Sequence, residues 1–125
     1  MIKKIEHVGI KVRDLDEAVR FYTQVLGLTE RDRREIPASG VKIAFVAIGD
    51  SELELLHYPE QKDDAPSEGV VSHVALAVDD IEAVLQKVKE SGAVVRDETP
   101  RMVFGGSKIA FFQGPSGEIL ELFQK

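Results

Sequence analysis

One block of this chain occurs twice, and that repetition limits its fold more than any other feature. His7-Val8-Gly9-Ile10-Lys11-Val12-Arg13-Asp14-Leu15 lies on His73-Val74-Ala75-Leu76-Ala77-Val78-Asp79-Asp80-Ile81 at an offset of 66 residues. The same offset carries Ile43-Ala44-Phe45 onto Ile109-Ala110-Phe111, and one extra residue then brings Glu54-Leu55 onto Glu121-Leu122. Each half has a histidine early, a glutamate late and a common set of elements between. Two copies are too few for a solenoid, so the expectation is two modules paired about a pseudo-twofold axis.

The elements follow from periodicity. Ile5 to Val12 alternates, with Val8, Ile10 and Val12 on one face and His7, Gly9 and Lys11 on the other, as a strand requires. Asp14 with Glu17 three residues on reads as a helix start. The stripe Leu15, Ala18, Val19, Tyr22, Val25 and Leu26 continues the helix as far as Gly27. A charged edge strand over Thr29 to Ile36 precedes Val41 to Ile48, a Gly49-Asp50 turn, and a partner strand from Leu53 to Tyr58. The second half repeats the plan. Asp80 caps a helix bearing Ile81, Val84, Leu85 and Val88, Val94 to Glu98 reads as a short strand, and Thr99 to Ser107 as a loop. Lys108 to Gln113 and Glu118 to Phe123 form the closing hairpin. The sum is α+β, βαβββ twice, with helices on one side of a curved, mostly antiparallel sheet. We expect a single domain over 1–125, with module one at 1–58, a polar linker at 59–69 and module two at 70–125.

Composition narrows the function. With no cysteine, thiolate metal sites and thiol nucleophiles are excluded, and a cytoplasmic location is expected. A net charge of −6 with scattered basic residues argues against nucleic acid, and no apolar run approaches membrane-spanning length. Gly105-Gly106 is neither a GxGxxG nor a P-loop, which leaves it a role in loop geometry. Phe104 is the aromatic best placed to form a mobile wall of a site, His57 is expected to end a strand in solvent, and Glu52 and Glu118 to be solvated beside their turns.

The chemistry follows from parity. His7, Glu54, His73 and Glu121 all project from the face without helices, and Gly9 and Ala75 leave room beside them. Two imidazoles and two carboxylates offer a divalent ion two nitrogens and two oxygens, leaving an octahedral ion two open positions for a substrate. Nickel, cobalt, manganese and zinc all suit such donors.

These residues resemble a known family. His7-Val8-Gly9-Ile10 with Asp14-Leu15, Phe21-Tyr22, Leu26-Gly27-Leu28, Phe111-Phe112, Pro115, Gly117 and Leu120-Glu121-Leu122 resemble the vicinal oxygen chelate (glyoxalase) superfamily over essentially the whole chain. The resemblance implies paired βαβββ modules forming a cupped sheet around one divalent metal held by His7, Glu54, His73 and Glu121, in a homodimer. Within it, the lactoylglutathione lyases are similar in ligand set and in Gly105-Gly106 ahead of Ile109-Ala110-Phe111, which implies Lys11 as a basic contact to glutathione. Leu56-His57-Tyr58-Pro59 departs from their polar residues. Methylmalonyl-CoA epimerases are similar around Gly40-Val41 and Glu54-Leu55-Leu56-His57, yet Pro37-Ala38-Ser39 lacks their glutamate base. The implied reaction moves a proton at carbon beside a carbonyl, on a small hemithioacetal or thioester, with the metal stabilising an enolate, Glu121 as base and Glu54 as its partner. An epimerase is the alternative, and a non-catalytic or antibiotic-resistance binding protein of the same superfamily is the second.

Overall fold

The structure, a computed structural model, describes residues 5–59, 71 and 73–125, with the side chain of Phe104 outside the description. It divides into two compact units, 1–65 and 66–125. Residues 60–69 of the expected linker lie outside the described residues, and Pro59 sits in a turn.

In the first unit, β1 (Val8–Lys11), β2 (Thr29–Glu35), β3 (Lys42–Ile48) and β4 (Ser51–His57) form a sheet in the order β1-β4-β3-β2. The pair β1/β4 is parallel, and β3/β4 and β2/β3 are antiparallel, so the sheet is mixed, with two of its three pairings antiparallel. The helix α1 (Leu15–Arg20) begins where Asp14 Oδ1 accepts the Glu17 N–H at 2.9 Å. Asp14 and Glu17 are spaced for a reciprocal capping box, but only the Asp14 half forms, because the Glu17 carboxylate turns to Arg13, 3.0 Å from its Nε. Beyond Arg20 the helix widens into a π turn, Phe21–Val25, closed by the Leu26 N–H on the Phe21 carbonyl at 3.2 Å. The Thr23 hydroxyl donates to the Val19 carbonyl at 2.7 Å, competing for an acceptor of the regular ladder. The widened turn leaves both Phe21 and Tyr22 buried, which a strict 3.6-residue stripe does not anticipate.

The second unit repeats this with β5 (Val74–Ala77), β6 (Arg101–Met102), β7 (Lys108–Gln113) and β8 (Ile119–Gln124), in the order β5-β8-β7-β6. Again the first strand pairs in parallel, β5 with β8, and the others are antiparallel. The helix α2 (Ile81–Glu90) is capped by Asp80, whose Oδ1 accepts the Ala83 N–H at 3.1 Å. The strand expected over Val94 to Glu98 does not form. Only a bridge between Val95 and Phe112 survives there, and pairing to β7 resumes at Arg101–Met102. The cause is Asp97, whose carboxylate takes the Phe111 N–H at 2.8 Å in place of a strand carbonyl.

Each sheet has one face covered by its own helix. Val12, Ala18, Tyr22, Ala44, Val46 and Leu55 are fully buried in the first unit, and Ile81, Val88, Ala110, Phe112 and Leu120 in the second. Each large aliphatic side chain so buried contributes about 2 kcal/mol. Because strand side chains alternate, this fixes the register and sends the intervening residues to the opposite face. His57 ties the first unit together rather than standing in solvent: its Nδ1 lies 3.2 Å from the Val12 carbonyl, which can only accept, so Nδ1 carries the proton. Gln124 does the equivalent work in the second unit, its Oε1 accepting the Ile81 N–H at 2.8 Å.

Candidate metal and substrate centre

The face opposite the helix carries the same local arrangement in both units. In the first, Glu54 of β4 stands between Gly9 of β1 and Phe45 of β3, its partners across the two ladders. In the second, Glu121 of β8 stands between Ala75 of β5 and Phe111 of β7. A small residue on one side leaves room for the carboxylate, and an aromatic ring walls the other. A Cβ added to Gly9 would lie 3.9 Å from Glu54 Oε1 and 3.3 Å from a Leu56 methyl, so glycine keeps this space clear. The histidines stand two residues ahead, on the same faces. Both meet the wall edge to face, His7 against Phe45 with centroids 6.5 Å apart and His73 against Phe111 at 5.3 Å.

In the second unit the donors come together. His73 Nε2 is 3.1 Å from Glu121 Oε2. Glu121 is only 7% exposed, and it is the one charged residue in the buried class among those described. A carboxylate in such a place needs a positive or hydrogen-bonding partner, since desolvating an unpaired one costs several kcal/mol. The His73 ring supplies one, and a cation shared by both atoms would supply a stronger one. In the first unit His7 and Glu54 share a face. There the His7 Nδ1 is 3.9 Å from Glu6 Oε1, and Glu54 is half-buried. Each unit thus offers one nitrogen and one oxygen donor, a set that fits a borderline divalent ion. Within neither unit do three or more His, Asp or Glu side chains among the described residues gather as a metal site of their own.

The other expected residues fall as follows. Lys11 lies on the His7 face, its ammonium 5.3 Å from the centre of the Tyr58 ring. The side chain of Phe104 lies outside the described residues. Its backbone opens a short 3-10 turn in which Gly105 and Gly106 take φ of 72° and 79°, values that favour glycine.

Two arginines escaped the sequence reading. Arg31 Cζ stacks 4.9 Å from the centre of Phe45, and Arg101 Cζ 6.0 Å from that of Phe111. A carboxylate holds each. Glu52 accepts from Arg31 Nε at 2.7 Å and from Nη2 at 3.0 Å, and Asp97 accepts from Arg101 Nε at 2.7 Å and from Nη2 at 3.4 Å. Glu52 is therefore engaged rather than solvated. The Arg31 bond holds its carboxyl below the usual range, and Glu52 in turn raises the Arg31 guanidinium. Glu118 likewise accepts the Ser116 N–H at 2.8 Å. The repeat could not reveal these arginines, because its offset lays Arg31 on Asp97. A clue was an arginine on a charged edge strand beside the strand of Phe45.

The first unit also holds a cleft of about 540 Å³ on the helix side, lined among others by Arg13, Asp16, Arg33, Lys42 and His57. Its guanidiniums are committed to carboxylates, Arg33 to Asp16 at 2.5 Å and to Glu30 at 2.7 Å.

Comparison with known proteins agrees with this fold. Residues 4–122 match the model of the Glyoxalase/Bleomycin resistance protein/Dioxygenase superfamily. An uncharacterized protein of Bacillus subtilis, YwbC, is 35% identical over the full length of both chains. A probable lactoylglutathione lyase of Vibrio cholerae is 33% identical, over 97% of this chain and 90% of its own. Among solved structures, glyoxalase I from Zea mays superposes with a TM-score of 0.80 at 30% identity, over 95% of this chain and 43% of the maize chain.

Proposed function

The chain belongs to the Glyoxalase/Bleomycin resistance protein/Dioxygenase superfamily, and from that premise we propose that it is a divalent-metal-dependent lyase or isomerase of the lactoylglutathione lyase type. The observation that carries the reading is the repetition of one half-site: a histidine, a glutamate two residues further across the ladder, a small residue beside it and an aromatic wall, in both units. Two such halves, from one chain or from two chains of a homodimer, would hold one ion through His7, Glu54, His73 and Glu121. Relatives named lactoylglutathione lyase, at about a third identity, support the choice of reaction class.

When bound there, a nickel, cobalt, manganese or zinc ion would act as a Lewis acid at a substrate carbonyl oxygen and acidify the neighbouring carbon. Glu121 is the residue to take the proton. Its buried carboxylate is oriented by the His73 Nε2 contact and walled by Phe111, so an Oε atom is presented with little freedom to lose. Glu121, once protonated, gives that proton to the adjacent carbon, and Glu54, on the matching face of the other module, serves as the second acid–base group, taking the proton of the substrate hydroxyl and giving it to the neighbouring oxygen. Gly9 and Ala75, the small residues paired with these glutamates, leave room for their carboxylates. Lys11, at the end of β1 on the same face, supplies a cation for a substrate anion.

The test compares turnover of the methylglyoxal–glutathione adduct and of methylmalonyl-CoA by protein reloaded with each metal. The proposal expects turnover of the adduct, abolished in Glu121→Gln. Turnover of methylmalonyl-CoA alone would assign the epimerase reading, and retention of ligand without turnover of either would assign a binding protein.

A further inference from the structure

We infer that Asp97 is a positioning residue of the second module: it holds the Phe111 wall in place and through that ring sets the geometry of the His73–Glu121 donor pair. The role rests on reading those two side chains as metal donors. Asp97 interrupts what Val94 and Val95 begin as a strand, and its side chain is only 12% exposed. Both main-chain groups of Phe111 end on this short segment. The Phe111 N–H donates to Asp97 Oδ2 at 2.8 Å, and the Phe111 carbonyl accepts the Arg96 and Asp97 N–H groups at 2.9 and 3.3 Å. The other carboxylate oxygen accepts from Arg101 Nε at 2.7 Å, and the Arg101 guanidinium lies over the Phe111 ring. One aspartate therefore grips the backbone of the wall directly and its side chain through an arginine.

Strand geometry carries this grip to the donors. A strand residue directs its N–H and its carbonyl to the same side, so Phe111, with both committed to residues 96 and 97, meets Glu121 of β8 as a non-hydrogen-bonded pair. Such pairs bring side chains closest together, with Cα atoms about 4.5 Å apart. The Phe111 ring stands edge to face with His73, centroids 5.3 Å apart, and His73 Nε2 is 3.1 Å from Glu121 Oε2. A shift of the ring thus reaches both donors at once. The first module is built differently: Phe45 pairs on its outer side with Asp32 of the edge strand β2, and its ring centroid stands 6.5 Å from that of His7. Where strand pairing gives way to a buried carboxylate, the wall of the second module depends on one side chain.

Variants of the full chain separate positioning from stability: Asp97→Ala, Asp97→Asn, and Val88→Ala, a truncation in the buried helix-side core of the same module. The first readout needs no metal. With three histidines in the chain, the imidazole signals of chelator-treated protein are followed by NMR and assigned from His7→Gln and His57→Gln. The neighbouring ring displaces the His73 signals from those of free histidine. In Asp97→Ala they should move back towards it, while those of His7 and His57 stay in place. The second readout is calorimetric titration with cobalt, in which Asp97→Ala should weaken binding about tenfold or more, as loss of a residue that orients metal ligands does. Asp97→Asn, which keeps one oxygen acceptor where two were engaged, should lose only about threefold. Val88→Ala should lower Tm with cobalt affinity within about twofold of the parent. Should Asp97→Ala not fold, the asparagine variant carries both readouts. Absence of cobalt binding in the parent, with the His73 signals still moved by the Asp97 substitution, would sink the metal reading and leave the placement of the ring standing. His73 signals unmoved in every folded Asp97 variant, or a cobalt affinity that falls as far in Val88→Ala as in Asp97→Ala, overturns the inference.

Discussion

Replacing His73 by alanine and Glu121 by glutamine, singly and together, probes the one donor pair that meets within a unit. The 3.1 Å contact joins a carboxylate that is nearly buried to an imidazole whose side chain is 36% exposed. Hydrogen bonds to charged groups contribute about 1.5–3 kcal/mol, and the exposure of His73 places this one at the low end, about 1.5 kcal/mol. With the metal removed by chelation, a double-mutant cycle at pH 7 should return that coupling, which for a chain of this size is about 6 °C in Tm. The chain has no tryptophan, so urea unfolding is followed by far-UV circular dichroism. Adding a divalent ion at about a hundred times its Kd should then raise the parent protein by a further ~2.7 kcal/mol and leave the double variant unmoved. A coupling below about 0.3 kcal/mol without metal would refute the contact, and equal stabilisation of parent and double variant by the ion would refute its role as a ligand pair.

Gly9→Val should lower divalent-ion affinity about tenfold while leaving the fold intact, because its Cβ already meets a Leu56 methyl at 3.3 Å and its branches crowd Glu54; calorimetric titration checks this. Asp97→Ala should cost about 2–3 kcal/mol in urea unfolding, since the Phe111 N–H loses its acceptor and Arg101 its ion pair together. The pH profile should report the Arg31–Glu52 pair. Glu52 has its folded-state pKa lowered by Arg31, so its contribution is present above the unfolded carboxyl value and is lost as pH falls through the lower, folded value. Arg31→Gln should therefore flatten the acid limb of stability against pH relative to the parent, and parallel limbs would contradict the assignment.

Much of this could be read from the chain because the repeat and the period-two pattern act together. Asp14 and Asp80 cap their helices as their positions imply, and the parity that buries Leu53 and Leu55 sends Glu54 to the other face. What escaped depends on contacts between side chains far apart in sequence. Asp97 replaces a strand carbonyl and so abolishes the strand that Val94 and Val95 suggest, and Thr23 helps to open a π turn inside an otherwise regular apolar stripe. Arg31 reaches 21 residues along the chain to Glu52, a pairing that no local pattern encodes. His57 was misplaced for the same reason, since its partner is the carbonyl of Val12 at the far end of β1.

The central claim is that two like half-sites share one ion, and the stoichiometry and affinity of divalent-metal binding test it directly. Calorimetric titration of chelator-treated protein with nickel or cobalt should find one ion per chain, with His7→Ala and His73→Ala each weakening it by about two orders of magnitude or more although they lie in different modules. Binding of less than about a tenth of an ion per chain, or an affinity that ignores either histidine, would contradict the account.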